Sequence, residues 1–336
     1  MKAVVCERPF ALDVRDRPLP ERAPGEVLLR IRRIGLCGTD YHIFAGNQPF
    51  LSYPRVMGHE LAGEVVEADM ASGLVPGAVV TLNPYLPCGE CIACRKDKPN
   101  CCTSIRVLGV HVDGGMCEYL AVPQAAVIPA GTLSLDQAAM VEFLSVGAHA
   151  VRRGETTAGD HALVVGAGPI GVAVALFAKA AGAGVTIADT SRQRLDYARD
   201  AIGIPDGVLV DDTIEATLAE RTDGEFYDLV FDATGNARAM EKGFAFVAHG
   251  GSYVLVSVVK QDISFADPEF HKREMRLIGS RNATAEDFRT VIAAITRGDI
   301  PTDTIKTHAF PMAEAPSRFP ELIADQGSVL KAIAIL

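Results

Sequence analysis

From Asp160 to Gly279 short apolar β-runs alternate with helical stretches, and that alternation leaves very few folds open to the chain. The sequence predicts strands at His161–Val165, Val185–Ala188, Gly207–Val210, Asp228–Asp232, Ser252–Ser257 and Arg276–Gly279. Helical stretches Ile170–Ala181, Arg192–Ala201, Thr213–Arg221 and Ala237–Ala248 separate the first five. Strands made almost wholly of Val, Ile, Leu and Ala must be covered on both faces, which a parallel sheet with crossover helices provides. The expected class is α/β, a doubly wound parallel sheet of six strands.

The first of these strands runs straight into Gly166-Ala167-Gly168-Pro169-Ile170-Gly171 and then into a helix. A G-x-G-x-x-G carries meaning only in this strand-turn-helix setting. There Gly166 permits a tight turn, Gly168 lets the backbone approach a pyrophosphate, and Gly171 allows helix and strand to touch, with Pro169 and Ile170 opening the helix. Asp189 closes the second strand, where its carboxylate can accept from both ribose hydroxyls and would repel a 2′-phosphate. The cofactor expected is NAD. Arg194, with Arg192, keeps NADP as the minor alternative, since an arginine nearby can hold that phosphate.

The 336 residues suffice for about two domains. Residues 1 to about 130 read as short β-runs punctuated by Gly and Pro, as in small barrels: Lys2–Cys6, Glu26–Ile34, Glu64–Glu67 and Ala78–Leu82. Helical spacing follows over Asp136–Arg153 and again over Ala285–Arg297, and an apolar strand closes the chain at Ser328–Ile335. That tail is too short to fold alone and has to return to one of the two domains.

Charge narrows the partners. Thirty-two basic against 42 acidic residues leave −10 with no basic run, so nucleic acid is not expected. The longest apolar stretches are too short to span a bilayer, and Met1–Arg8 breaks into charge before any signal-peptide core. The protein is expected in the cytoplasm, away from membranes. Its eight cysteines should then stay reduced, and five of them crowd into residues 88–102.

Cys88, Cys91, Cys94 and Cys102 form C-x₂-C-x₂-C-x₇-C, which suits a closed tetrahedral Cys₄ zinc site of the structural type better than an iron–sulfur run. Cys101 is an alternative fourth ligand. A second set is dispersed: Cys37 and His59 offer sulfur and nitrogen, and Glu60 or Glu142 offers oxygen. Glu142 lies in the apolar run Ala138–Leu144, where a carboxylate is costly unless it meets a cation.

The succession Cys37-x-Thr39-Asp40-x-His42, Gly58-His59-Glu60-x-x-Gly63, the four-cysteine lobe, Glu142 and the glycine turn resembles the zinc-containing medium-chain dehydrogenases over almost the whole chain. The resemblance implies a GroES-like, β-rich catalytic domain of residues 1–145 completed by 286–336, a Rossmann NAD-binding domain of 146–285, and catalysis in the cleft between them. It implies two zinc ions per chain. One is structural, on the four cysteines. The other is catalytic, on Cys37, His59 and Glu142, with Glu60 as an adjacent or exchanging ligand. Thr39 would take the substrate proton and relay it toward His42, while Asp40 would accept from the second ring nitrogen of His59 and fix its tautomer.

The segment Val141–Gly147 is similar to the polyol dehydrogenases, in which a glutamate replaces the cysteine of simple alcohol dehydrogenases. The proline usual after that glutamate is Phe143 here, so direct and water-mediated ligation by Glu142 both stay open. Gly279–Phe288 resembles dehydrogenases of sugar acids such as galactonate and idonate. The implied reaction moves a hydride from a secondary alcohol of a polyol, sugar or sugar acid to NAD, with Arg281 pairing a polar end of the substrate or the cofactor phosphates. A homodimer or homotetramer is implied as well. The competing readings are an alcohol dehydrogenase for simpler alcohols, and a non-catalytic zinc and dinucleotide-binding interaction protein.

Overall fold

Alternating apolar positions in Glu26–Leu36 bury Val27, Leu29, Ile31 and Ile34 on one face, and this longest strand becomes the spine of the first folding unit. The computed structural model describes residues 1–48, 51–325 and 327–336 and divides into two compact units. The first comprises Met1–Phe143 and Ala283–Leu336. On the spine pair Glu60–Glu67, Tyr119–Pro123 and, antiparallel, the C-terminal strand Lys331–Ile335, with Ala332 opposite Leu36. The closing tail therefore returns to this unit. Seven strands join in that sheet, and three more, Lys2–Arg8, Ala11–Asp16 and Arg55–Val56, form a second one. Leu29, Ile31, Leu61, Val65 and Phe319 lie in the shared core.

The second unit, Leu144–Asn282, is the parallel sheet. Its strands lie side by side in the order Asp206–Leu209, Gly184–Asp189, His161–Val165, Tyr227–Asp232, Val247–Leu255 and Arg276–Gly279. The order reverses between His161–Val165 and Tyr227–Asp232. In doubly wound sheets a ligand binds outside the carboxyl ends of the strands at such a point.

Several expected boundaries move; the helix from Arg192, for example, ends at Tyr197 in a π-turn, and the closing strand starts at Lys331 rather than Ser328. The helical stretch from Asp136 is two helices, Leu135–Ala139 and Val141–Arg153, with Met140 closing the first by donating its N–H to the Gln137 and Ala138 carbonyls. The helix from Ala237 ends at Gly243, where the Tyr253 side chain packs in the place a Cβ would take, and a short 3₁₀ turn follows. The next strand starts at Val247 rather than Ser252, so tertiary pairing with Tyr227–Asp232 overrides helical spacing there. No helix among the described residues is long and apolar enough to cross a membrane.

Candidate active site and metal centres

In the first unit Cys37 ends the spine strand's exit and caps the short helix Gly38–Phe44, where its sulfur accepts the Thr39 N–H at 3.2 Å. Asp40, on the same helix, accepts the Cys37 N–H at 3.0 Å and is fully buried. Glu60 opens the neighbouring strand with His59 just before it, and Gly35 opposite Glu60 leaves room for its carboxylate, since a Cβ there would overlap the Glu60 side chain. Chain segments far apart in sequence thus converge.

The Cys37 sulfur lies 3.0 Å from His59 Nε2. On the other side of the ring, Nδ1 faces Asp40 Oδ1 at 3.8 Å, and neither atom has a hydrogen-bond partner. Ligand atoms of Cys37, Asp40 and His59 lie within 4.8 Å of one another, and so do those of His59, Glu60 and Glu142. A buried imidazole wedged between sulfur and carboxylates, with orphaned polar atoms around it, fits a cation coordinated by Cys37, His59 and a glutamate oxygen. Charge tells the same story. Burial works against the imidazolium of His59, yet the charges of Cys37 and Asp40 outweigh it and raise its pKa well above the ordinary value. Burial pushes the Glu142 carboxyl up to about 7, with neighbouring Glu60 adding to the rise.

Each glutamate has a holder that the sequence reading missed. Lys331, fully buried on the C-terminal strand, places its ammonium 2.7 Å from both oxygens of Glu60, donates to the Leu36 carbonyl at 3.1 Å, and stands 4.0 Å above the Phe143 ring. Tyr85 donates its phenol proton to Glu142 Oε1. A lone lysine inside the apolar run Val329–Ile335 is the same signal that singled out Glu142, and it marks Lys331 as a buried charge in need of a partner without naming Glu60. Tyr85 carries no such mark. Thr39 is half-buried and His42 exposed on the Gly38–Phe44 helix.

The second cluster is local. Cys88, Cys91, Cys94 and Cys102 bring their sulfurs within 4.8 Å of one another, with Cys88 to Cys102 at 3.4 Å and Cys91 to Cys94 at 3.5 Å. A tetrahedral Zn–S distance of about 2.3 Å gives sulfur separations of roughly 3.8 Å, so the set is sized for zinc. Cys101 is exposed and stands outside it. Amides of Cys94 and Thr103 aimed at the Cys91 sulfur bring that thiol down to about 5. Desolvation and the neighbouring thiols drive Cys94 up to about 12, because four thiolates cannot crowd together without a cation.

In the second unit the glycine turn has the backbone geometry that a dinucleotide site requires. Gly166 takes φ +104°, and a Cβ on Gly171 would overlap the Gly166 carbonyl, so helix Pro169–Ala180 can approach the turn only through glycine. Gly168 caps that helix with open space above it and no side-chain cap, the open helix start at which an anion can sit. Asp189 is buried, accepting from the Ala167 N–H at 2.7 Å and the Ser191 N–H at 2.8 Å. Arg194 reaches it at 4.0 Å, whereas Arg192 is exposed. Arg281 is exposed two residues beyond the strand Arg276–Gly279.

Residues 23–132 match the alcohol dehydrogenase GroES-like domain, and residues 169–297 match the zinc-binding dehydrogenase domain. Over 337 aligned residues, 99% of this chain and 98% of the relative, the sequence is 41% identical to L-galactonate-5-dehydrogenase of Escherichia coli K12. The chain belongs to the zinc-containing medium-chain dehydrogenases. D-Altritol 5-dehydrogenase of Agrobacterium fabrum C58 is another relative, 33% identical with 88% of each chain covered. Among solved structures, an alcohol dehydrogenase of E. coli CFT073 complexed with NADH superimposes with a TM-score of 0.93 at 28% identity, covering 100% of this chain and 99% of that one. As a medium-chain dehydrogenase the protein is an NAD(P)-dependent oxidoreductase, with a GroES-like part and a Rossmann-type sheet.

Proposed function

We propose that the protein oxidises a secondary alcohol on a polyhydroxylated carbon chain, a sugar acid of the galactonate type, with NAD as acceptor. The observation that carries this reading is the pair of ligand groups that share His59, half-buried Cys37 on one side and buried Glu60 and Glu142 on the other, whose carboxylate-rich composition resembles the polyol-oxidising branch. Identity to an L-galactonate-5-dehydrogenase over nearly the whole chain supports the substrate class.

In this reading Cys37 and His59 hold the catalytic zinc with Glu142 or Glu60, and Cys88, Cys91, Cys94 and Cys102 hold the structural one. When bound, zinc polarises the substrate oxygen and lowers the pKa of the alcohol, and NAD supplies the hydride acceptor. Thr39 takes the hydroxyl proton and passes it toward His42, whose exposure on the helix lets it exchange with solvent. Asp40 orients His59 from behind, so the nitrogen facing Cys37 stays unprotonated for the metal. Lys331 and Tyr85 restrain the two glutamates.

Gly166, Gly168 and Gly171, with Pro169 and Ile170, receive the pyrophosphate, and Asp189 the ribose hydroxyls. A 2′-phosphate would meet that carboxylate with only Arg194 to compensate, so NAD is preferred over NADP. Arg281 pairs the substrate carboxylate through a two-pronged contact. The catalytic part is assigned to residues 1–145 with 286–336, and the cofactor part to 146–285. The exposed Leu277 on the edge strand Arg276–Gly279 supports assembly into a dimer or tetramer, and eight free cysteines suit a cytoplasmic protein.

The deciding experiment is NAD reduction by zinc-replete protein across aldonates, polyols, aldoses and primary alcohols. Aldonates are expected to give the highest kcat/KM, and a preference for simple primary alcohols would overturn the reading. In Arg281→Ala, a raised KM for an aldonate with unchanged NAD affinity supports the substrate contact, and a loss confined to NAD binding refutes it. Light scattering on the purified protein checks the assembly.

A further inference from the structure

One fully buried carboxylate in the second unit is used by neither the metal sites nor the ribose end of the dinucleotide turn. Asp232 is the last residue of Tyr227–Asp232, paired in register with Val165, so it sits at the point where the strand order reverses. Its two oxygens accept the Thr234 N–H at 3.0 Å, the Thr234 hydroxyl at 3.0 and 3.1 Å, and the Ser257 hydroxyl at 3.1 Å. Each of those hydroxyls already accepts a backbone N–H, Asn236 on Thr234 and Gly235 on Ser257, which leaves the hydroxyl proton for the carboxylate. Every neighbour therefore donates, the arrangement an ionised carboxylate requires. No cation among the described residues lies within ion-pair distance of it, and burial raises its pKa with no cationic charge to offset the rise. Elsewhere in this protein the fully buried Glu60 has Lys331 as counter-ion. Asp232 is a buried anion without one.

The direction of the cofactor places that anion. In the reading given above, Asp189 takes the ribose hydroxyls on one side of the reversal point and the glycine turn takes the pyrophosphate. The remaining nicotinamide half then extends to the opposite side, over the carboxyl ends of Tyr227–Asp232 and Val247–Leu255. The turn after Asp232 packs directly against the glycine turn: the Ala233 carbonyl would be 3.0 Å from a Cβ on Gly166. Ser257 follows the second of those strands, so Asp232 also ties the two flanking turns together.

We propose that Asp232 biases the cofactor site toward the oxidised dinucleotide: its unpaired negative charge favours the cationic nicotinamide ring of NAD⁺ over the neutral ring of NADH. An unsolvated charge acts over several ångströms in a protein interior, so the bias is expected at the level of binding and without direct contact. A residue that only held the two turns in shape would affect both forms of the cofactor equally. The proposal rests on the dinucleotide reading of the second unit.

The test measures dissociation constants for NAD⁺ and NADH separately, by titration calorimetry and by NADH fluorescence, on zinc-replete protein without substrate. In Asp232→Asn, NAD⁺ binding is expected to weaken by about tenfold relative to NADH. Ser257→Ala, which keeps the charge and removes one donor, is expected to hold the NAD⁺ to NADH ratio within about twofold of wild type. Should Asp232→Asn fail to fold, Asp232→Ser, which removes the charge and keeps a small hydrogen-bonding side chain, is measured instead and is expected to move the ratio the same way. Parallel weakening of both forms, or an unchanged ratio, would overturn the proposal. Failure of the wild-type protein to bind either dinucleotide would instead overturn the reading on which it rests.

Discussion

The two cysteine-containing clusters of the first unit solve opposite problems. Cys88–Cys102 is one loop of chain in which Cys88, Cys91 and Cys94 stand at least partly open to solvent and Cys102 is buried, with backbone amides aimed at the Cys91 sulfur. The cluster around His59 draws Cys37, Glu60, Glu142, Tyr85 and Lys331 from separate segments and buries three of its ligand groups. Four thiolates fill a tetrahedral cation's coordination and leave no position for substrate, so in the proposed function the local loop serves the fold. A mixed sulfur, nitrogen and oxygen set can leave a position open, but it has to be pre-shaped, and the shaping falls to buried charges that are costly unless paired. The proposed function thereby separates stability and chemistry within one unit.

That separation breaks most sharply at the ligands themselves. Cys37→Ala or His59→Ala is expected to remove one zinc and lower turnover by at least about a thousandfold, while the protein stays folded and still binds NADH. Metal analysis and NADH fluorescence on the variants check this, and near wild-type turnover would dismiss the catalytic zinc.

Lys331 tests how much of the open cluster is electrostatic scaffolding. Lys331→Met leaves Glu60 as an uncompensated buried charge and is expected to cost about 3–5 kcal/mol in denaturant unfolding. Adding Glu60→Gln should recover much of that loss, as a double-mutant cycle would reveal. Additive losses would mean that the two side chains do not act as a pair.

For the closed loop, Cys91→Ser is expected to release the other zinc and lower Tm by about 5–10 °C, because closing a thiolate site contributes folding free energy. The zinc near His59 should remain. An unchanged melting temperature after loss of one metal ion would count against a structural role.

The smallest effect concerns Tyr85. Tyr85→Phe removes a donor to a buried carboxylate and is expected to lower kcat/KM by about tenfold. The same site gives a pH signature. Glu142 has its folded-state pKa raised to about 7, above the ordinary value of 4.5. In metal-free protein the stability from this group is full below the unfolded value and is lost as pH rises from about 4.5 through about 7. Metal uptake has the opposite sign, since the ligand must be deprotonated, so zinc affinity should climb over that interval. Equilibrium dialysis against pH measures it. Because the Tyr85 hydrogen bond lowers the Glu142 pKa, Tyr85→Phe should move the climb to higher pH.

Local chemistry was readable directly from the residues. The strand-glycine-helix succession at Val164–Gly171 could be recognised because a turn and a helix start depend on consecutive residues, and the four cysteines because their spacing keeps them within one loop. Cys37, His59 and Glu142 were readable only in combination, each being unremarkable alone. Helix ends are not legible where a distant strand intervenes, as Tyr227 does by pairing with Val247.

What tertiary structure alone decided is which charges meet. Lys331 lies 271 residues from Glu60, and Tyr85 lies 57 from Glu142, and no periodicity in the sequence predicts either encounter. Such pairs form because the fold buries both members first, and a buried charge is then stable only beside a partner or a set of donors. Asp232, held by Thr234 and Ser257 with no cation beside it, follows the same rule: the sequence put an aspartate at a strand end, and only packing made it a buried anion.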